Sequence, residues 1–257
     1  MSGHRRSRQA RPEPPAALNR LDGVLVVDKP AGPTSHDIVD AVRRHFRLRK
    51  VGHGGTLDPQ ATGILVLLLG RGTKLSSKFM GADKTYDGVM HLGVETDSQD
   101  ADGAVTREAD CGAVTREQVE AAMAEWIGDV WQEPPMVSAR KINGVPLYKL
   151  ARRGQTVERA PKLVHVYQFA IREFALPRIL FTVRCTRGTY VRTLCADVGA
   201  ALGCGAHLAA LRRTRSGDIA LDQSYPLEDV LEMSTEALAA AVLPLARFGM
   251  APGDGGA

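Results

Sequence analysis

The chain has 257 residues and a mass of 27.7 kDa, which is enough for one large domain with a buried core. Its hydrophobic and charged fractions, 44% and 24%, are ordinary for a globular protein. The longest aliphatic run, residues 64–69, is too short to span a bilayer, and the basic first residues lack an apolar stretch. We therefore expect no membrane span, no secretory signal and a cytoplasmic location.

Charge is distributed unevenly along the chain, whose net charge is +4. Residues 1–20 contain five arginines and one acid, and residues 41–53 contain five basic side chains and no acid. Arg212, Arg213 and Arg215 form a third basic cluster, whereas the tail from residue 226 is acidic. Clustered positive charge favours a polyanion such as nucleic acid, although each cluster could also be a solvated surface.

The first half of the chain alternates between extended and helical patterns. Low hydrophobicity predicts a disordered basic arm over residues 1–20. The apolar spacing of Ile38, Val39, Val42 and Phe46 predicts a helix capped by Thr34 or Ser35. Strands are predicted over 23–27, 63–69 and 85–94, a loop over 51–62, and a helix capped near Thr73 within 70–81.

The second half of the chain begins with a clear helix signal, because Thr115 and Gln118 have the spacing of a capping box. That helix is predicted over 115–127. Further predictions are an extended segment over 136–142, a short helix over 148–153, strands over 163–174 and 179–185, a helix over 191–202, a mixed segment over 208–221 and two short helices in the tail. This irregular order predicts a mixed α/β or α+β sheet domain.

The most informative segment is the glycine-rich loop GHGGTLDP at residues 52–59. Its glycines permit close approach of a ligand, and Pro59 stiffens the chain after Asp58. An aspartate is normally ionised at neutral pH, so Asp58 can act as a nucleophile or base without a metal. The alternative is that Asp58 only caps a turn, and that His53 only packs or forms hydrogen bonds.

Two other segments carry candidate functional side chains. Tyr86 begins a predicted strand, where it could stack on a nucleobase or simply pack. Arg192 follows a strand-to-helix turn, where it could pair with a buried carboxylate or lie on the surface. The spacing of the four cysteines and seven histidines matches no metal motif, and Ser98-x-Asp100-x-Asp102-Gly103 lacks the glutamate of a calcium loop.

Four long segments, taken together, resemble the successive motifs of the bacterial tRNA pseudouridine-55 synthases, the TruB family. They are VDKPAGPTSHDIV, GHGGTLDPQATGILVLLLGRGTK, KTYDGVMHLGVETDSQDADG and RGTYVRTLCADVGAALGCGAHLAALRRT. The resemblance implies an α+β pseudouridine synthase fold, with a mixed, largely antiparallel central sheet flanked by helices and an active-site cleft across the sheet. It also implies isomerisation of one uridine in the tRNA T-loop, without a cofactor or a metal.

The resemblance assigns roles to particular residues. Asp58 stands at the family's catalytic aspartate, Tyr86 at the tyrosine that stacks on the flipped uracil, and Arg192 at the arginine that pairs with the carboxylate. The remaining substrate-binding positions are His53, which helps to hold the opened T-loop, Tyr190 and Leu211, which surround the base pocket, and Lys29, which supports the Tyr86 region. Gly54 departs from the pattern, because many members carry a hydroxyl residue there.

The resemblance covers residues 21–222, which we expect to be the catalytic domain. Many members continue into an RNA-binding PUA domain, and we expect residues 223–257 to be a short acidic helical segment instead. The implied partner is the T-loop and T-stem of tRNA, which the basic helix and the Arg212–Arg215 cluster are expected to bind. We expect the protein to act as a monomer, without a guide RNA and without contact to a membrane. Two alternatives remain open, a tRNA-folding chaperone and a guide-RNA-dependent relative.

Overall fold

The fold is built on a ten-stranded mixed sheet, and the computed structural model describes residues 21–135, 141–142, 145–146, 157 and 159–250. The strands are β1 (Gly23–Lys29), β2 (Val51–His53), β3 (Thr62–Leu69), β4 (Lys84–Leu92), β5 (Val94–Thr96), β6 (Val105–Glu108), β7 (Gly128–Gln132), β8 (Lys141–Ile142), β9 (Val145–Pro146), β10 (Lys162–Ala175), β11 (Arg178–Cys185), β12 (Ala206–Ser216), β13 (Ile219–Ala220) and β14 (Tyr225–Pro226). The α-helices are α1 (Ser35–His45), α2 (Ser76–Gly81), α3 (Arg116–Ala124), α4 (Val191–Ala201), α5 (Leu227–Glu232) and α6 (Thr235–Ala241).

The main sheet has the strand order β14-β1-β3-β12-β4-β11-β10-β7, with β2 paired to β3 and β13 paired to β12. The β1–β14 and β3–β12 pairs are parallel and the other pairs are antiparallel. The predicted class, an α+β fold with a mixed and largely antiparallel sheet flanked by helices, is confirmed. Within the described part of the chain, no helix combines the length and apolar character that a membrane crossing needs.

Local signals explain where the predicted helices begin. Thr34 caps α1 and Thr115 caps α3, each with a reciprocal capping box that satisfies otherwise unpaired amide groups. The apolar stripe of α1 is buried, as its spacing predicts. The predicted cap near Thr73 is wrong, because residues Gly70–Leu75 form a 3₁₀ helix and α2 begins only at Ser76.

Three hydrophobic clusters form the core and use both faces of the sheet. One packs α3 and α4 against β4 and β11, the second packs α1 against one face of β1 and β3, and the third covers the opposite face of those two strands. Side chains of the C-terminal segment, including Val230 and Phe248, are buried in the second and third clusters. The segment after residue 222 therefore packs against the sheet that carries the rest of the chain.

Strand β12 is the main departure from the predicted elements, since residues 208–221 were expected to be mixed. β12 runs between β3 and β4, and register shifts beside Leu208 and Arg213 interrupt its alternation of side chains. Such bulges hide a strand from a test for period-two patterning. The predicted arm (1–20), most of the predicted extended segment (136–142) and the predicted helix over 148–153 lie outside the described residues.

The β3–β12 pairing depends on one glycine. Gly63 has a φ of +94°, and a Cβ atom there would lie 2.3 Å from the carbonyl oxygen of Arg213. We expect Gly63→Ala to lower the free energy of unfolding by about 3 kcal/mol or more, because it combines backbone strain with a clash against main chain. Urea unfolding measures this difference.

Gly128 provides the matched control for that prediction. Its φ is +100°, but a Cβ atom there would meet no atom within 4 Å. Gly128→Ala is expected to lower the free energy of unfolding by about 1–2 kcal/mol, through backbone strain alone. If the two substitutions lowered the free energy of unfolding equally, close packing at Gly63 would make no contribution to stability.

Candidate functional site

A cavity of about 320 Å³ opens where the glycine-rich loop, β4, β12 and the start of α4 meet. Of the residues predicted from the sequence, five line it: Asp58, Tyr86, Tyr190, Arg192 and Leu211. His53 and Lys29 are not among the lining residues. The structure therefore brings together side chains from distant parts of the chain, including all three predicted catalytic residues.

The loop that carries Asp58 is fixed by hydrogen bonds to its main-chain amide and carbonyl groups. The Ser35 hydroxyl accepts from the Leu57 amide at 2.8 Å and donates to the Leu57 carbonyl at 3.0 Å. The carbonyl of Asp58 accepts from the Ala61 amide at 3.1 Å. Because Ser35 is the first residue of α1, the helix and the loop are held together directly.

Lys29 supplies further bonds to the same loop. Its side chain is fully buried, and its ammonium group donates to the carbonyls of Pro30, Pro59 and Ala61 at 2.7–2.9 Å. Burial lowers the pKa of Lys29 to about 8, although Asp58 acts in the opposite direction. This buried ammonium group stabilises the Asp58 loop, and its expected support of the Tyr86 region and of substrate binding stays a prediction.

Arg192 lies between two carboxylates and is itself only 5% exposed. Its closer partner is Asp100, with a 2.7 Å hydrogen bond from Nη1 to Oδ2. Its Nη2 atom is 3.8 Å from Oδ2 of Asp58, whose side chain is 60% exposed. The predicted Arg192–Asp58 pair is thus present as a longer ion pair, and Asp100 balances most of the buried charge.

Asp100 was considered in the sequence only within an incomplete calcium loop. In the structure two hydrogen bonds close the turn that contains Asp100. The Ser98 hydroxyl donates to the Asp100 carboxylate, and the Thr96 hydroxyl donates to the Asp100 carbonyl. Gln99, at a φ of +66°, accepts a hydrogen bond from Thr193 on α4. The turn therefore presents Asp100 to Arg192, a long-range contact with no local sequence signal.

Tyr86 points into the cavity from β4, close to Arg213 on the neighbouring strand. Burial raises the pKa of the Tyr86 hydroxyl, and the positive charge of the nearby Arg213 guanidinium opposes that shift. Lys84, two residues earlier, is buried and donates to the carbonyls of Phe79, Met80 and Ala82. These carbonyls lie at the C-terminal end of α2. The phenol is therefore held in its neutral form at physiological pH.

Tyr190 is the N-cap of α4 and is positioned by β7. Gln132 is 3% exposed, and its side-chain amide accepts from the Tyr190 amide at 2.7 Å and donates to the Tyr190 carbonyl at 3.0 Å. Arg192 follows two residues later, so this contact also fixes the start of the helix that carries the arginine. Nothing in the local sequence around Gln132 indicates this role.

His53 lies at the start of the glycine-rich loop, outside the cavity lining. Its Nδ1 atom accepts from the Gly55 amide at 3.4 Å, and burial lowers the pKa of its ring. The departure at Gly54 has a steric reason, since a Cβ atom there would lie 2.5 Å from Cβ of Phe79. A hydroxyl residue at position 54 would therefore require Phe79 to move.

The basic clusters differ in how much charge they expose. Arg213 is 2% exposed, and Arg212 forms a 2.6 Å ion pair with Asp28. On α1, Asp40 pairs with Arg43 and Arg44 at 3.0 Å each, which neutralises part of that surface. The expectation that the whole Arg212–Arg215 cluster binds RNA is therefore corrected for Arg213, whose side chain is buried.

The described residues contain other concave surfaces and no metal cluster. Groups of three or more His, Cys, Asp or Glu side chains that could hold a metal ion are absent from them. A larger groove of about 640 Å³ lies between α3 and the end of α4, but none of the predicted site residues line it. In contrast to that groove, the 320 Å³ cavity combines a carboxylate, a phenol and a buried guanidinium.

Comparison with protein families finds two adjoining matches that together cover most of the described residues. Residues 43–191 match the TruB family pseudouridylate synthase N-terminal domain. Residues 192–248 match the tRNA pseudouridylate synthase B C-terminal domain. The boundary between the two matches falls at the start of α4, so the candidate site draws residues from both.

Curated relatives and solved structures agree with the family match. The chain is 50% identical over 210 residues to a tRNA pseudouridine synthase B of Opitutus terrae, covering 82% of this chain and 87% of the relative. It is 50% identical over 214 residues to that of Dechloromonas aromatica, covering 83% and 71%. A chain in the crystal structure of a Cbf5-Nop10-Gar1 complex aligns with a TM-score of 0.71 at 30% identity, covering 90% of this chain and 62% of that chain.

Asp197, on α4 beyond Arg192, gives this region a pH-dependent stability. Burial raises the pKa of its carboxyl group to about 6. The folded state therefore binds more protons than the unfolded state between about pH 4 and 6, and stability falls as the pH rises through that window. We expect Asp197→Asn to raise the free energy of unfolding at pH 7.5 by about 1–2 kcal/mol.

The measurement is urea unfolding at several pH values, with the exposed Asp218→Asn as the control. The gain from Asp197→Asn should shrink towards zero below about pH 4, where the carboxyl group is protonated in both states. A gain that is independent of pH, or a loss at pH 7.5, would contradict the assigned cause.

Proposed function

The chain belongs to the TruB family of pseudouridylate synthases, enzymes that isomerise uridine, and we propose that it acts on position 55 in the T-loop of tRNA with Asp58 as the nucleophile. The observation that carries the proposal is the shared cavity lined by Asp58, Tyr86 and Arg192. Its volume of about 320 Å³ admits one extruded nucleotide but no stacked helix. The T-loop position rests on the family motifs.

The reaction requires that the target base leave its stack. Enzymes that act on a base inside folded nucleic acid extrude the nucleotide at a cost of a few kcal/mol. Tyr86 offers an aromatic face inside the cavity on which the extruded uracil can stack. Tyr190 and Leu211 supply the other walls of the base pocket.

The chemistry exchanges one bond of the uridine for another. The glycosidic C–N bond breaks, a C–C bond from the sugar to the ring forms, the ring carbon loses a proton and the ring nitrogen gains one. No electrons are gained or lost overall, so an ionised carboxylate is a sufficient nucleophile. Asp58 attacks the sugar or the ring and is released once the C–C bond has formed, and its carboxylate then accepts the proton from the ring carbon. Tyr86 stacks on the uracil as a neutral phenol during these steps.

Arg192 and Asp100 hold the electrostatic balance of the site. A buried cation without a partner is costly, and the 2.7 Å bond to Asp100 offsets part of that cost. The second face of the guanidinium then remains directed at Asp58, at 3.8 Å. Asp100 thus positions Arg192, and Arg192 orients the nucleophile.

The substrate completes the water-poor environment that the reaction needs. The Asp58 side chain is 60% exposed in the protein alone, so the cavity is open to solvent before RNA binds. A T-loop seated over the cavity would cover Asp58 and strengthen its interaction with Arg192. We propose that the exposed arginines of α1 and Arg215 contact the phosphates of the T-stem.

We propose that the protein acts alone, as a monomer on free tRNA. The Cbf5-Nop10-Gar1 structure describes a related chain inside a complex, and this chain spans 62% of that relative. The curated relatives with 50% identity carry the name tRNA pseudouridine synthase B. Modification of tRNA by the purified protein without guide RNA distinguishes this proposal from a guide-dependent relative.

Asp58→Asn tests the assigned nucleophile, because it removes the charge and keeps the side-chain shape. We expect pseudouridine formation to fall by at least about 10³-fold, while tRNA affinity changes less than about threefold. Mass-spectrometric mapping of pseudouridine in a tRNA transcript, together with filter binding, measures both quantities.

The wild-type protein provides the reference for the site of modification, which we expect at position 55 alone. An active Asp58→Asn protein would rule out the nucleophile. Wild-type binding to tRNA without any product would instead favour a tRNA-folding chaperone.

Asp100→Asn tests the balance of charge around Arg192, and the exposed Asp102→Asn in the same turn is its control. Loss of the carboxylate charge weakens the 2.7 Å contact with the buried guanidinium and leaves the 3.8 Å ion pair with Asp58 in place. We expect single-turnover pseudouridine formation to fall by about 10²-fold, because the site loses its preorganised charge. Unchanged rates in both variants would show that Asp100 has no part in positioning Arg192.

A further inference from the structure

Arg213 occupies the centre of the site without a carboxylate partner. Its side chain is 2% exposed, and it lines the cavity together with Asp58 and Tyr86. Among the described residues, no aspartate or glutamate lies within ion-pair distance of it. Its neighbour Arg212, in contrast, pairs with Asp28 at the rim. A buried cation held in this way needs another source of compensation.

That compensation comes from three main-chain carbonyl groups. The Nε atom donates to Ile64 at 2.7 Å, Nη1 to Thr56 at 3.2 Å and Nη2 to Gly55 at 3.1 Å. Ile64 belongs to β3, whereas Gly55 and Thr56 belong to the glycine-rich loop that contains Asp58. One planar fork therefore binds the loop at two carbonyl groups and β3 at a third, a geometry that a lysine ammonium does not reproduce.

The backbone of Arg213 lies directly between the two elements that supply the catalytic groups. On one side it is in register with Gly63 of β3, and on the other with Tyr86 of β4. The Arg213 and Tyr86 side chains also line the same cavity. A shift of Arg213 would thus move the Asp58 loop relative to Tyr86.

We propose that Arg213 is a positioning residue for the isomerisation, which sets the location of Asp58 relative to Tyr86 through the carbonyl groups of Gly55 and Thr56. This inference rests on the proposed function, because it assigns Asp58 and Tyr86 their roles in the reaction. It differs from RNA binding, since the guanidinium is buried against the protein. It also differs from the role of Arg192, which acts through carboxylates.

The proposal predicts a rate defect with little loss of affinity. A displacement of about 1 Å in a reacting group can cost 10²-fold in rate. Arg213→Lys keeps the positive charge but loses the three-point fork, so the loop gains freedom while the cavity stays cationic. The surfaces that bind the tRNA stem are unchanged by this substitution.

The experiment compares Arg213→Lys with Arg172→Lys in the purified full-length protein. Arg172 is an exposed arginine on β10 that binds Asp87 of β4 at 2.6 Å, so its substitution perturbs a second arginine contact to the same strand outside the cavity. The readouts are the single-turnover rate of pseudouridine formation, the Kd for tRNA and hydrogen exchange of the backbone amides. Residues 54–61 report on the position of the loop.

We expect Arg213→Lys to lower the single-turnover rate by about 10²-fold and to change the Kd by less than threefold. Faster hydrogen exchange should be confined to residues 54–61 and their immediate contacts. Arg172→Lys should leave all three quantities near the wild-type values. In Arg213→Ala, added guanidinium ion should restore part of the rate, because the open cavity admits it.

Three results would overturn the proposal. They are a wild-type rate in Arg213→Lys, equal losses in rate and affinity, or faster exchange throughout the sheet, which would make Arg213 a determinant of global stability. The wild-type reaction separates this test from that of the proposed function. If wild-type protein forms no pseudouridine, the proposed function fails, whereas an active wild type with an unaffected Arg213→Lys rejects the positioning role alone.

Discussion

Strand β12 joins the two halves of the sheet, and the geometry of the candidate site follows from that pairing. On one side lie β14, β1 and β3, with the glycine-rich loop leading from β2 into β3, and on the other side lie β4, β11, β10 and β7. The close approach of Gly63 to the backbone of Arg213 makes the parallel β3–β12 contact possible. Because Tyr86 is in register with Arg213 on the opposite side, the loop and the tyrosine meet at one cavity.

Buried cations then fix an irregular loop that has little secondary structure of its own. Lys29 binds the carbonyls that follow Asp58, and Arg213 binds those that precede it. Carbonyl groups in a loop must be satisfied once the loop is partly buried, and charged donors satisfy them strongly. The Asp58 carboxylate is therefore exposed to substrate, while buried side chains fix the backbone that carries it. This arrangement is a form of preorganisation.

The sequence predicts the elements better than it predicts their contacts. The helical spacing of Ile38, Val39 and Val42 and the capping residue Thr34 locate α1, and the motifs locate Asp58, Tyr86 and Arg192. Strand β12 was missed because its bulges interrupt the alternating pattern. The roles of Asp100 and Gln132 were missed because each contacts α4 or its cap across more than fifty residues, and no local pattern encodes such pairing.

The most direct test of the account is a crystal structure of Asp58→Asn bound to a tRNA T-stem-loop with uridine at the target position. We predict that this uridine is extruded, lies against Tyr86 in the 320 Å³ cavity, and has its sugar or ring within about 3.5 Å of the side chain of residue 58. A target uridine that stays stacked in the RNA, or that binds at another surface with residue 58 facing solvent, would contradict it.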